Sequence, residues 1–150
     1  MSSDIDVVRR IARLLALDIG NYVLSPSARP KCQHASTLRR IVDELSTRHE
    51  IVFASIARKL GSRVSVEGAT AARWRYTFIA VVSELFADGH YNWGRVVTVY
   101  AFAAWLVRQH CTTELQCGSS DDVALTISCA AGDFVADKLA EWIYRQGGWV

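Results

Sequence analysis

The side chains that could do chemistry in this chain are four histidines (His34, His49, His90, His110), four cysteines (Cys32, Cys111, Cys117, Cys129) and the adjacent acids Asp121 and Asp122. A helical zinc site needs two histidines four residues apart with an acid between them, and no pair here has that spacing. His110, Cys111 and Cys117 would be soft-metal ligands, but their spacing matches no common zinc pattern and reads better as a surface turn. Neighbours in sequence point different ways on a helix, so Asp121 and Asp122 suit a helix N-terminus better than a catalytic carboxylate pair. The sequence holds no G-x-S-x-G elbow, no glycine-rich phosphate loop and no dinucleotide fingerprint. The expectation is a protein that is not an enzyme, with no metal and no cofactor.

Composition narrows the class further. Half of the 150 residues are hydrophobic (51%), 21% are charged and two are proline, an ordinary globular balance over one domain, residues 1–150. A net charge of +2, with arginines spread from Arg9 to Arg75, points away from nucleic acid. The cysteines form no CxxC pair and follow no signal peptide, since charge begins at Asp4. They are expected as reduced thiols of a cytosolic protein, with disulfides the second option.

The elements that must carry any site read as helices. Ile5, Val8, Ile11, Leu15, Ile19 and Tyr22 recur every three or four positions, which predicts an amphipathic helix over 4–24. Arg9, Arg10 and Arg13 on its other side are offset by Asp4, Asp6 and Asp18, so packing explains this helix better than a membrane surface does. The stretch "SPSARPKCQHAS" is a loop. A second helix is expected to open at Ser36 or Thr37 and carry Leu38, Ile41, Val42 and Leu45, followed by a short one over 50–60 closed by Gly61. Trp74, Phe78, Val81, Val82, Leu85 and Phe86 stripe a helix over 71–87.

Val96 to Val107, "VVTVYAFAAWLV", is apolar on nearly every face. Twelve residues fall short of the roughly 20 that span a bilayer. The run therefore predicts a central helix from Trp93 to about His110, surrounded by the others. A last helix follows Ser119-Ser120-Asp121-Asp122, with a break expected near Gly132, and ends at Gly147-Gly148. No stretch alternates as a strand. The fold class is all-α, six to eight helices around one apolar helix.

Two stretches then stand out. "ELFADGHYNWGRVV" (84–97) resembles the first homology motif of the Bcl-2 family of apoptosis regulators, and "EWIYRQGGW" (141–149) resembles the second, about fifty residues on. The helix over 6–24 is compatible with the family's fourth homology motif, and "LRRIVDEL" (38–45) occupies the place of the third. The resemblance implies a Bcl-2-like bundle, a hydrophobic central helix wrapped by amphipathic ones. It also implies a surface groove that accepts the amphipathic third-homology helices of pro-apoptotic relatives, both ligand-only and executioner types.

Under that resemblance Arg95 at the groove's rim would pair with the ligand's aspartate through its planar fork. Asn92 would add a polar contact, or serve as a helix cap. Gly94 would let the ligand backbone come close; the plainer readings are a turn for Gly94 and a solvated charge for Arg95. Trp93 is expected to pack against Trp142 and Trp149. Leu45, His49, Val52, Phe53 and Ile56 would floor one side of the groove. Phe78, Val81, Val82, Leu85, Val97 and Phe102 would floor the other, with Glu84 on a polar rim; each floor residue is also a candidate for the core.

The family's third helix carries a small residue before its aspartate, whereas here Val42 precedes Asp43, which suits a receptor better than an exported ligand. The resemblance thus implies an anti-apoptotic regulator that blocks mitochondrial outer-membrane permeabilisation, most like the short cellular and virus-encoded members. The chain stops at Val150, so either a membrane tail was removed or this is a compact member without one. The full-length form is expected in the cytoplasm at the mitochondrial or endoplasmic-reticulum membrane. A pore-forming member, and a helical scaffold with changed partners, are the alternative readings.

Overall fold

The computed structural model describes residues 2–25, 27, 29–30, 32–56, 71–113 and 120–149; among these, the side chains of 2–3, 71–74, 77, 109–113 and 120–123 lie outside the description. The helices are α1 (Ser2–Leu24), α2 (Gln33–Arg48), α3 (50–56), α4 (Ala71–Leu85), α5 (Trp93–Thr113), α6 (Ser120–Phe134) and α7 (Ala140–Arg145). A π-helical turn, Val135–Leu139, joins the last two. Every described element is helical, as the periodicities predict.

α5 is the axis of the bundle. Residues 99 to 107 are all buried, and the helix packs against α1, α2, α4, α6 and the π turn. A helix apolar all round has no face to give to water, so its neighbours must close over every side. Each neighbour contributes one stripe: Val8, Ala12, Leu15 and Ile19 from α1, Leu38 and Val42 from α2, Phe78 and Val82 from α4, Ile127, Ala131 and Phe134 from α6. The phenol of Tyr100 on α5, fully enclosed, donates to the carbonyl of Ala12 at 3.0 Å.

Local details depart from the sequence expectations. α2 opens at Gln33, three to four residues before the predicted Ser36 or Thr37, with no side-chain cap at Cys32. Packing of Ala35 into the core makes the earlier turn worth forming without a cap. α4 ends at Leu85, and residues 86–88 form a turn. The chain does not break at Gly132, which is helical and buried; instead the extra residue of the π turn rephases the helix. That shift keeps Val135, Ala136 and Leu139 inside along with Ala140 and Ile143 of α7. The helix stops where expected, at Gly147 and Gly148, with φ of 99° and 94°. Cys117 and the end of the third helix beyond Ile56 lie outside the described residues, and the side chains of Trp74, His110, Cys111, Asp121 and Asp122 lie outside the description. Cys32 and Cys129 are free thiols.

Candidate helix-binding site at the head of the central helix

The loop before α5 is built from its own polar groups. Asn92 is the cap: its Oδ1 accepts the backbone N–H of Arg95 at 2.8 Å, satisfying a donor the helix leaves open. Of its two readings the cap is the one seen in the free chain. Trp93, the first residue of α5, lies edge-on to Trp142 at 5.2 Å and tilted to Trp149 at 5.7 Å between ring centres. Trp149 in turn donates from Nε1 to the carbonyl of Val8 at 3.1 Å. The two tryptophan motifs, distant in sequence, thus meet and are tied to α1, as the sequence predicts for Trp93.

Gly94 is exposed and helical, and a Cβ there would meet only the Asn92 Oδ1, at 3.2 Å. Its backbone is ordinary, so no turn requires glycine at this position. Arg95 is not a bare solvated charge. Its Nη1 and Nη2 grip both oxygens of Asp88, at 2.6 and 2.9 Å, and Nη1 also donates to the carbonyl of His90 at 2.7 Å. The guanidinium, together with the His90 N–H, holds the Asp88 carboxyl far below the usual carboxylate range, and Asp88 raises the arginine in return. On sequence alone a helix ends at residue 87 and Asp88 has no part in the site. The signal available was an acid in a glycine turn ahead of a lone arginine.

Below this loop runs a chain of rings. His49 lies 6.3 Å from Phe53, Phe53 lies 5.5 Å from Phe102, and Phe102 stacks on Phe78 at 5.8 Å. The chain links α2, α3, α5 and α4. Arg95 and Phe102 are two helical turns apart, so they share one face of α5 at roughly 10 Å along its axis. Arg95 and the ring chain therefore lie on the same side of α5.

Of the two readings of the floor residues, groove or core, Phe53, Phe78, Val82 and Phe102 take the core in the free chain, where all four are buried. Rings this large are held by partners on both sides once α3 and α4 close on α5. Val97, two residues from Arg95 and so turned by about 200° around α5, is half-buried against the core. The residues left at the margin are Leu45, His49, Ile56, Val81 and Leu85, half-buried, with Val52 and Glu84 exposed. Ile51, not singled out by the sequence, is 82% exposed beside Val52. The structure thus shows part-buried and exposed apolar residues of α2, α3 and α4 around a chain of buried rings, and one arginine on the Phe102 side of α5.

Residues 38–149 match the apoptosis regulator proteins of the Bcl-2 family. The chain belongs to the Bcl-2 family. Among the relatives of this Bcl-2 member, mouse apoptosis regulator BAX is 34% identical over 112 residues, 75% of this chain and 50% of BAX. Bovine Bcl-2-related protein A1 is 32% identical over 136 residues, 90% of this chain and 74% of the relative. Human Bcl-2-related ovarian killer protein is 33% identical over 114 residues, 76% and 49%. The chain spans about half the length of the BAX proteins it matches. Among solved structures, the zebrafish pro-survival protein NRZ in complex with the Bad BH3 superposes with a TM-score of 0.77 at 22% identity, over 98% of this chain and 93% of that one, a likeness of fold. Chicken BOK superposes at 0.69 and 27% identity, over 97% and 94%. The all-α Bcl-2-like architecture is shown. No helix among the described residues is long and apolar enough to cross a membrane.

Proposed function

We propose that this Bcl-2 family member is a pro-survival receptor. It holds the amphipathic third-homology helices of pro-apoptotic relatives against the margin formed by Leu45, His49, Val52, Ile56, Val81 and Leu85, with Arg95 taking the helix's aspartate. Its action is sequestration at the mitochondrial outer membrane, binding without turnover.

The observation that carries this reading is how firmly its own third-homology helix is held. Val42 on α2 is fully buried, and Arg39 makes a buried ion pair with Asp18 of α1. Asp43, the acid such a helix would offer a partner, accepts from the Tyr22 hydroxyl at 2.6 Å. Exporting α2 would withdraw Ala35, Leu38 and Val42 from the core and break the polar contacts of Arg39 with Asp18 and of Asp43 with Tyr22 and Arg108. A chain built this way receives helices better than it donates one. The complex of the zebrafish NRZ with the Bad BH3 gives a fold precedent for such a partner.

A second reading, a membrane-permeabilising member, is favoured by the identity to the ovarian killer proteins. Calorimetric titration with synthetic third-homology helices, beside liposome leakage, separates the two. Binding that weakens in Arg95→Ala, with no leakage, is expected. Leakage without helix binding would replace the receptor by the pore.

A further inference from the structure

The turn before α5 supplies Arg95 with a carboxylate of its own. Gly89, at φ 76°, folds the chain back so that Asp88 faces the arginine seven residues on. A guanidinium carries five N–H donors. Both on Nη1 are used, by Asp88 Oδ1 and the His90 carbonyl, and one on Nη2 is used by Asp88 Oδ2. The end-on fork is therefore closed. What remains, among the described residues, is the side-on edge, Nε and the second Nη2 hydrogen.

An incoming carboxylate has two routes. It displaces Asp88 from the fork, or it takes the side-on edge while Asp88 stays on the same guanidinium. Either way two acids contend for one arginine, and like charges at that distance oppose each other. Nothing locks Asp88 in place by burial: its side chain is 53% exposed, against 27% for Arg95. Among the described residues, the other titratable group that acts on Asp88 is His90, whose Nδ1 stands 3.9 Å from Asp88 Oδ2.

We infer that Asp88 is an internal competitor for Arg95 and a specificity-determining residue of the site: it reduces how strongly the receptor distinguishes helices that carry an aspartate from helices that do not. The inference rests on the receptor reading above. Displacing the internal acid returns part of what the new ion pair gains, so apolar anchors carry more of the selection. Removing the charge on Asp88 leaves Arg95 uncompensated, and the acid of the helix then matters more.

The opposite role, Asp88 as a brace that aims Arg95 at its ligand, predicts the opposite sign. Asp88→Asn separates them, because the amide oxygen still accepts the His90 N–H that shapes the turn. The probe is the Bad third-homology peptide, paired with the same peptide bearing asparagine in place of its aspartate. Both are titrated into the parent chain, Asp88→Asn and Asp88→Ala. The ratio of the two Kd values is expected to widen by about three- to tenfold in both variants, the range of a partly exposed charge interaction. An unchanged or narrowed ratio overturns the competitor and leaves the receptor standing. If neither peptide binds any of the three chains, the receptor reading falls and the competitor with it. Circular dichroism on each variant, and the Arg95 guanidinium nitrogen shifts by NMR, report whether the fold holds and the fork has opened.

Discussion

Asp18 on α1 and Arg39 on α2 meet in a buried two-pronged ion pair: Nε and Nη2 of the arginine donate to the two carboxylate oxygens at 2.8 and 2.9 Å. Side-chain exposure is 1% for the acid and 9% for the arginine, and the ring of Tyr22 lies 4.6 Å from the guanidinium carbon. Removing one partner strands a charge away from water. Asp18→Ala should therefore lower stability by about 3–5 kcal/mol, read from urea unfolding. Replacing both partners by apolar residues, Asp18→Leu with Arg39→Met, should recover most of that loss. A single-variant loss well under 1 kcal/mol would mean that water reaches the pair.

α1 and α6 approach closely through small residues. A Cβ at Gly132 would stand 3.0 Å from the Ala16 Cβ and 3.1 Å from the Arg13 Cα, and one at Gly20 would collide with the Ser128 hydroxyl. Helix propensity favours alanine over glycine by about 1 kcal/mol. Overlap with backbone costs about 1–3 kcal/mol. Gly132→Ala should thus lose stability on balance, and Ala16→Gly added to it should return part. A rise in Tm would show that the two helices can part without cost.

Burial pushes the Tyr100 phenol well above its ordinary range, and the hydrogen bond to Asp43, with burial, pushes Tyr22 the same way. A phenol whose folded pKa is raised contributes stability that is whole below the unfolded value. That contribution is lost as pH climbs past about 10, where the unfolded chain ionises and the folded one resists. Urea midpoints should fall steeply in that window. Tyr100→Phe should flatten the slope while costing about 1 kcal/mol at neutral pH for the lost bond to Ala12. An alkaline slope unchanged in that variant would place its origin elsewhere.

These contacts also show what a single sequence can tell. α1 and α5 were legible because period and polarity agree along them: Ile5 to Tyr22 on one stripe, Val96 to Val107 on all sides. The meeting of Trp93 with Trp142 and Trp149 was legible from the two motifs. The π turn was not, since nothing in "VADKL" distinguishes one extra residue per turn from an ordinary helix. Nor was the burial of Phe53, Phe78, Val82 and Phe102, because the same stripe serves a core or a groove floor until a neighbour's distance is known. Asp88 was missed for a related reason. An acid before a glycine already has a sufficient local role as a helix stop, and its pairing with Arg95 depends on how the loop closes.

Gly94 offers the sharpest separation of fold from function. It is exposed, has ordinary helical backbone, and its nearest obstacle is a cap oxygen at 3.2 Å. A glutamate there stands in the first turn of α5, where no acid is present and where the helix dipole favours one by about 0.3–1 kcal/mol. Gly94→Glu should therefore keep its helical circular-dichroism signal and its Tm. The same side chain would fill the space through which a partner's backbone must reach Arg95, and its charge would oppose the partner's acid. Calorimetry should show helix binding abolished, whereas Arg95→Ala should weaken it by about 2–5 kcal/mol if the partner's acid is left buried. Wild-type affinity in Gly94→Glu would move the binding surface away from the head of α5, and with it the role assigned to Arg95.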